Sequence, residues 1–121
     1  MIQRGGCHCG RVSFEIDAPS GRALECNCSI CTMKGTLHWI VPRSAFHLLT
    51  SWDALATYRF NTQIAQHLFC KVCGVQSFYV PRSHPDDISI NVRCLEGVNV
   101  SDWEITPFDG RHWEQARSQI D

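Results

Sequence analysis

The chain is 121 residues long, the size of one ordinary domain, and 44% of it is hydrophobic, enough to bury a modest core. Its formal net charge of -1 and its 11 scattered Lys and Arg residues exclude an electrostatic footprint for nucleic acid carried by this chain alone. The opening MIQRGGCHCG has no apolar stretch or cleavage site of a secretory signal, and no later run reaches the length of a membrane span. The expectation is therefore a soluble, cytoplasmic protein built as one unit over residues 1–121, without nucleic-acid or membrane partners.

In chain order, the first element is RVSFEI, where Val12, Phe14 and Ile16 alternate with polar residues and predict a strand with one buried face. LHWIV, ATYRF, QSFYV and ISINV follow as further short strands, rich in β-branched and aromatic residues and bounded by Gly, Pro, Asn, Asp or Ser. Helix is scarce: SAFHLLTSWDAL allows a helical turn around Trp52, and GRHWEQARSQI after Gly110 predicts a brief terminal helix. The fold class is mainly β. Trp39, Trp52, Phe60, Phe78 and Tyr79 fall at strand-like positions and are expected in the core, with one of them lining a pocket mouth. Asp86 and Asp87, in the loop PRSHPDD, are expected to be solvated.

Eight residues are cysteine, in four groups: CHC (Cys7, Cys9), CNCSIC (Cys26, Cys28, Cys31), CKVC (Cys70, Cys73) and Cys94 alone. A disulfide framework requires an oxidising compartment that the amino terminus does not suggest. In a reducing compartment clustered thiolates more often hold a metal, zinc first among them and iron–sulfur clusters less commonly. Residues i and i+2 of an extended segment face one side, so Cys7 and Cys9 present two sulfurs to one point. Cys70 and Cys73 read as a tight knuckle, with Gly74 supplying a positive φ after it as Gly10 does after CHC. The economical reading is one closed structural zinc site on Cys7, Cys9, Cys70 and Cys73, placed in loops that join the chain's start to its middle.

Cys26, Cys28 and Cys31, expected in a loop between strands, are left as three ligands. Three protein ligands and one exchangeable position make a catalytic zinc, whereas a fourth ligand, from Cys94, His38 or His67, makes a second structural one. The spacing leaves both open. Cys94 is otherwise a buried or pocket-lining thiol. His67 is expected to support the structural zinc, since it stands three residues before Cys70.

GGCHCGRVSFE, CNCSIC and HLFCKVCGVQSF, in that order, resemble the glutathione-dependent formaldehyde-activating enzyme family. TYRFNT, AQHLFCKVCGVQSFYVPRSHP and CLEG are most similar to its centromere protein V branch. The resemblance implies a zinc-stapled β-tent of the Mss4-like kind. It also implies a structural zinc on Cys7, Cys9, Cys70 and Cys73 and a catalytic zinc on Cys26, Cys28 and Cys31, two zinc ions per chain. The implied activity is that of a carbon–sulfur lyase working in the synthetic direction: a small thiol such as glutathione, held by zinc as thiolate, attacks formaldehyde or another small aldehyde to give a hemithioacetal such as S-(hydroxymethyl)glutathione. His38, His67 and Arg82 are the candidates for proton relay or hydrogen-bond donor. The branch resemblance implies an alternative, a non-catalytic zinc-stabilised binding module. Nothing in the pattern requires a second copy of the chain.

Overall fold

The computed structural model describes residues 2–60 and 62–117. The described residues form a mainly β structure of the β-tent kind, with strands in three small sheets and two short helices. Strands β1 (Gln3–Gly6), β2 (Ser13–Ile16) and β5 (Phe46–Leu48) make an antiparallel sheet. The central sheet has the order β10-β3-β4-β9-β8, from β3 (Arg22–Cys26), β4 (Leu37–Pro42), β8 (Phe78–Tyr79), β9 (Asp87–Asn91) and β10 (Glu104–Phe108). Its β3 and β10 edge is parallel and its other pairings are antiparallel. A hairpin-like pair, β6 (Leu55–Tyr58) with β7 (His67–Cys70), forms the third sheet.

The predicted strands are present, shifted at their ends. QSFYV forms a strand only at Phe78 and Tyr79, with Val80 in an isolated bridge to Gln66, and ATYRF pairs from Leu55 to Tyr58, leaving Phe60 beyond its strand. Strands β1, β3, β5, β7 and β10 carry no clean alternation and were not evident in the sequence; their pairing partners, rather than their own residues, define them. The Trp52 turn is a 3₁₀ turn over Trp52–Ala54, capped by the Ser51 hydroxyl accepting from the Asp53 N–H at 3.1 Å. The terminal helix is α2 (Trp113–Ala116), and the rest of its predicted extent past residue 117 lies outside the described residues.

Alternation along the central sheet separates two environments. Trp39 and Val41 stand opposite Ile90 and Ile88, with Phe78 beside Ile90, and this face is the core. Val12, Phe14 and Ile16, all 0% exposed as their alternation implies, close over it from the first sheet. Three rings lock the two sheets together: Phe14 to Phe46 at 5.3 Å, Phe46 to Phe78 at 4.7 Å and Phe14 to Phe78 edge-on at 5.6 Å. Of the aromatics expected inside, Trp39 and Phe78 are buried and Tyr79 is half-buried. Trp52 is 53% exposed and touches Phe78 only with its edge, while Phe60 is 36% exposed. A strand end and an exposed turn place those two rings outside the sheets' shared face. The opposite face of the central sheet carries Leu24, Cys26, His38, Ile40, Ser89, Tyr79 and Phe108. It turns away from the core and walls a cavity.

Removal of a ring from the three-ring lock should cost far more than trimming the cavity face. Phe78→Ala is expected to lower the unfolding free energy by about 3–5 kcal/mol, and Ile40→Ala, half-buried, by clearly less. Equilibrium denaturation of the two variants checks the difference.

Candidate metal centres and active cavity

Each cysteine group arises from a turn whose backbone aims its sulfurs. CHC is not extended as expected from its i, i+2 spacing: β1 ends at Gly6, and Cys7–Gly10 form the turn into β2, closed by the Cys7 N–H to Val12 C=O bond at 2.9 Å. The turn serves the same end, because the Val12 N–H donates to Cys7 Sγ at 3.3 Å and orients it. At the knuckle the Val72 N–H donates to Cys70 Sγ at 3.4 Å, and Gly74 takes the φ of 78° that a side chain would resist. The sulfurs of Cys7, Cys9, Cys70 and Cys73 all lie within 4.8 Å of one another.

This donor set fits a thiophilic ion. A tetrahedral zinc with bonds of about 2.3 Å sets its sulfurs about 3.8 Å apart, and the Cys7–Cys9 and Cys9–Cys70 sulfur separations are both 3.6 Å. Backbone N–H groups favour charged sulfur here: that of Val75 is the main cause holding the Cys73 thiol down to about 6.

The second group stands at the carboxyl end of β3. CNCSIC is not all loop: Cys28 caps helix α1 (Ser29–Lys34), which ends on Gly35 in the left-handed region. The short helix brings Cys31 back beside Cys26 and Cys28, and the three sulfurs lie within 4.8 Å of one another. The Cys28 N–H donates to Cys26 Sγ at 3.4 Å. Cys26, then Cys31, hydrogen-bond Cys28 and hold its thiol down to about 2, while contacts with Cys26, then Cys28, push Cys31 up.

No fourth His, Cys, Asp or Glu among the described residues joins this group. Cys94 in particular does not close it. Its Sγ donates to the Gln76 carbonyl at 3.9 Å, and after burial the charges of Cys7 and Cys73 are what push its pKa up to about 11. It is a half-buried thiol beside the four-cysteine group, because the next residue, Leu95, bridges Gly5 in β1, just before Cys7. His67 is also displaced from its expected role. Residues an odd number apart on a strand face opposite sides, so Cys70 looks toward the core and His67 looks into the cavity.

The cavity holds about 360 Å³ and is floored by Cys26, Cys28 and Cys31. His38, His67, Tyr79, Phe60 and Trp113 form its aromatic wall. His67 stacks on Tyr79 at 5.2 Å and on Phe60 at 5.4 Å. Burial lowers the pKa of both histidines, His38 to about 4. Among the described residues, the formal cations of the lining are Arg82 and Arg111, and no Asp or Glu lines it. Arg82 lies 3.8 Å from the Trp113 ring centroid, and Arg111 donates from Nε to the Asn27 carbonyl at 2.9 Å.

Asn27, between two of the cysteines, clamps the segment after β10 onto the site. Its Nδ2 donates to Asp109 Oδ1 at 2.9 Å and its Oδ1 accepts from the Arg111 N–H at 3.0 Å. Gly110 sits between these bonds, and a Cβ there would lie 2.4 Å from Cys26 Sγ and 2.9 Å from Cys28 Cβ. The sequence offered Gly110 only as the residue before a helix; its contact with the thiols comes from the parallel pairing of Phe108 with Cys26.

A family model described as glutathione-dependent formaldehyde-activating enzyme matches residues 2–108. The crystal structure of a Rhodobacter sphaeroides protein is similar to this chain, with a TM-score of 0.77 and 35% identity, covering 86% of this chain and 97% of that one.

Gly110→Ala is expected to cost about 1–3 kcal/mol by overpacking and to weaken metal retention by the three-cysteine group selectively. Cys94→Ser should leave metal retention by both groups at the wild-type level. Metal content after gel filtration, with denaturant unfolding of the same samples, reads both outcomes.

Proposed function

Because the chain belongs to the glutathione-dependent formaldehyde-activating enzyme family, we propose that it condenses a small glutathione-like thiol with formaldehyde or another small aldehyde, with zinc in both cysteine groups. The observation that carries this reading is a three-thiol cluster, with no fourth protein ligand among the described residues, on the floor of a cavity large enough for a small molecule. In the alternative, a non-catalytic binding module, the second site would be closed by protein, and Cys94, the thiol available to close it, stands by the other group.

Cys7, Cys9, Cys70 and Cys73 would hold the structural ion, and Cys26, Cys28 and Cys31 the second. Bound there, zinc supplies the Lewis acidity that keeps an incoming thiol ionised near neutral pH. The chain's own residues do the rest. Arg82 and Arg111 give the cavity a positive lining unopposed by carboxylates, which suits a thiol bearing carboxylate groups. Trp113 holds the Arg82 guanidinium by a cation–π contact, and the Asn27 carbonyl holds Arg111, so both arrive oriented. The aromatic wall excludes water from the reacting atoms. Gly110 leaves room for the Cys26 sulfur, and the Asn27 clamp keeps the two approaching segments in register.

An NMR assay of hemithioacetal formation from formaldehyde and glutathione tests the reading. The protein loaded with two zinc ions should accelerate the reaction over buffer, and Cys28→Ser should return it to the uncatalysed rate; no acceleration by the wild type would overturn the proposal. Arg82→Ala combined with Arg111→Ala is expected to raise KM about tenfold or more for glutathione and to leave an uncharged thiol such as 2-mercaptoethanol nearly unaffected.

A further inference from the structure

Resting on that reading, we propose that His38 is a catalytic residue of the reaction, its Nε2–H donating a hydrogen bond to the aldehyde oxygen as negative charge develops there. Three buried side-chain atoms among the described residues lack a hydrogen-bond partner: His38 Nε2, Gln76 Nε2 and Ser77 Oγ. Of these residues only His38 lines the cavity. Its ring is 4% exposed, yet one of its two nitrogens has no partner inside the protein. Such an atom costs about 1–3 kcal/mol when left unpaired, and a substrate oxygen entering the cavity would satisfy it.

The other nitrogen fixes the tautomer. His38 Nδ1 lies 3.2 Å from the Ser89 hydroxyl, and Ser89 is wholly buried. Ser89 stands directly across from Tyr79 in the β8–β9 pairing. With the Ser89 hydroxyl as donor to Nδ1, the ring hydrogen sits on Nε2 of a residue that lines the cavity. Burial also holds the ring neutral at physiological pH. A neutral imidazole suits this role, because it polarises a carbonyl without carrying a charge into a cavity already lined by two guanidinium groups.

The step balances without a change in the protonation of His38. The thiolate sulfur forms the new bond to carbon as the carbonyl π pair moves to oxygen, and the Nε2–H meets that oxygen's charge. The proton lost to water when the thiol ionised returns from water to the alkoxide, completing the hydroxyl. A donor placed before the reaction lowers the barrier because it need not reorganise as charge appears, and loss of one such donor commonly costs about 10²–10³ in rate.

Two measurements test it. In a long-range ¹H–¹⁵N spectrum of the zinc-loaded protein at pH 7, with the His38 signals assigned from their loss in H38Q, His38 should be the neutral Nε2–H tautomer, and Ser89→Ala should shift it toward Nδ1–H. In the hemithioacetal assay, His38→Ala should lower kcat about a hundredfold with little change in KM for glutathione. His38→Gln, whose Nε2 can reach the same place, should recover part of the loss. A wild-type Nδ1–H tautomer, or an imidazolium, overturns the assignment. So does an active wild type whose His38→Ala variant turns over within twofold of it. If His38→Ala does not fold, the tautomer and the His38→Gln and Ser89→Ala rates still decide. A wild type that forms no hemithioacetal above buffer defeats the functional reading instead, and the spectrum reports on the His38 donor independently of it.

Discussion

The antiparallel pairing of β4 with β9 is the constraint on which the rest of the molecule depends. Five consecutive register pairs, from His38 with Asn91 to Pro42 with Asp87, decide which side of the sheet each residue occupies. A slip of one residue would drive Trp39, Val41, Ile88 and Ile90 into the cavity and bring His38 and Ser89 into the core. Burying four large apolar side chains is worth several kcal/mol, far more than the polar face could return. The core therefore sets the register, and the register presents the chemistry.

A small domain with so thin a core gains from crosslinks. A metal ion held by the four-cysteine group would join the turn after β1 to the turn after β7, from two different sheets, and so tie together segments that hydrogen bonding alone leaves separate. The three-cysteine group does the opposite work. It is built within one short stretch by β3 and α1, and its remaining neighbours are Gly110 and the cavity. One thiol set stands between two turns of the chain, and the other borders a space that a small molecule can enter.

Polar order around the cavity is concentrated in a few side chains. Asn27 commits its carboxamide to Asp109 and Arg111, Trp113 holds Arg82, and Ser89 holds His38. Each of these fixes a group that faces the cavity, Asn27 and Ser89 from outside its lining and Trp113 from within it. A lining fixed in this way loses little conformational entropy when a small molecule enters, whereas the same arginines on free loops would have to be ordered at that moment.

Much was legible in the residues themselves. The strict alternation of Val12, Phe14 and Ile16 places them in the core, and Gly74 marks the knuckle, because a period of two and a positive φ are local properties. The grouping of Cys7, Cys9, Cys70 and Cys73, and the leftover trio Cys26, Cys28 and Cys31, follow from spacing and complementarity, and the sulfurs do converge in these sets. Other features depend on contacts between segments far apart in the chain. Cys94 could close the second group or stand as a lone thiol until the bridge of Leu95 to Gly5 carried it to the first, and His67 is near Cys70 in sequence but turned to the opposite side by the strand's alternation. Gly110 reaches Cys26 only through the parallel pairing of β10 with β3, and His38 has an unpartnered nitrogen only because Ser89 occupies the other. The sequence alone determined which residues can bind metal and which strands must be buried, since those depend on side-chain chemistry and short-range period. Tertiary structure decided which of them share a cavity, because that depends on strand order and register.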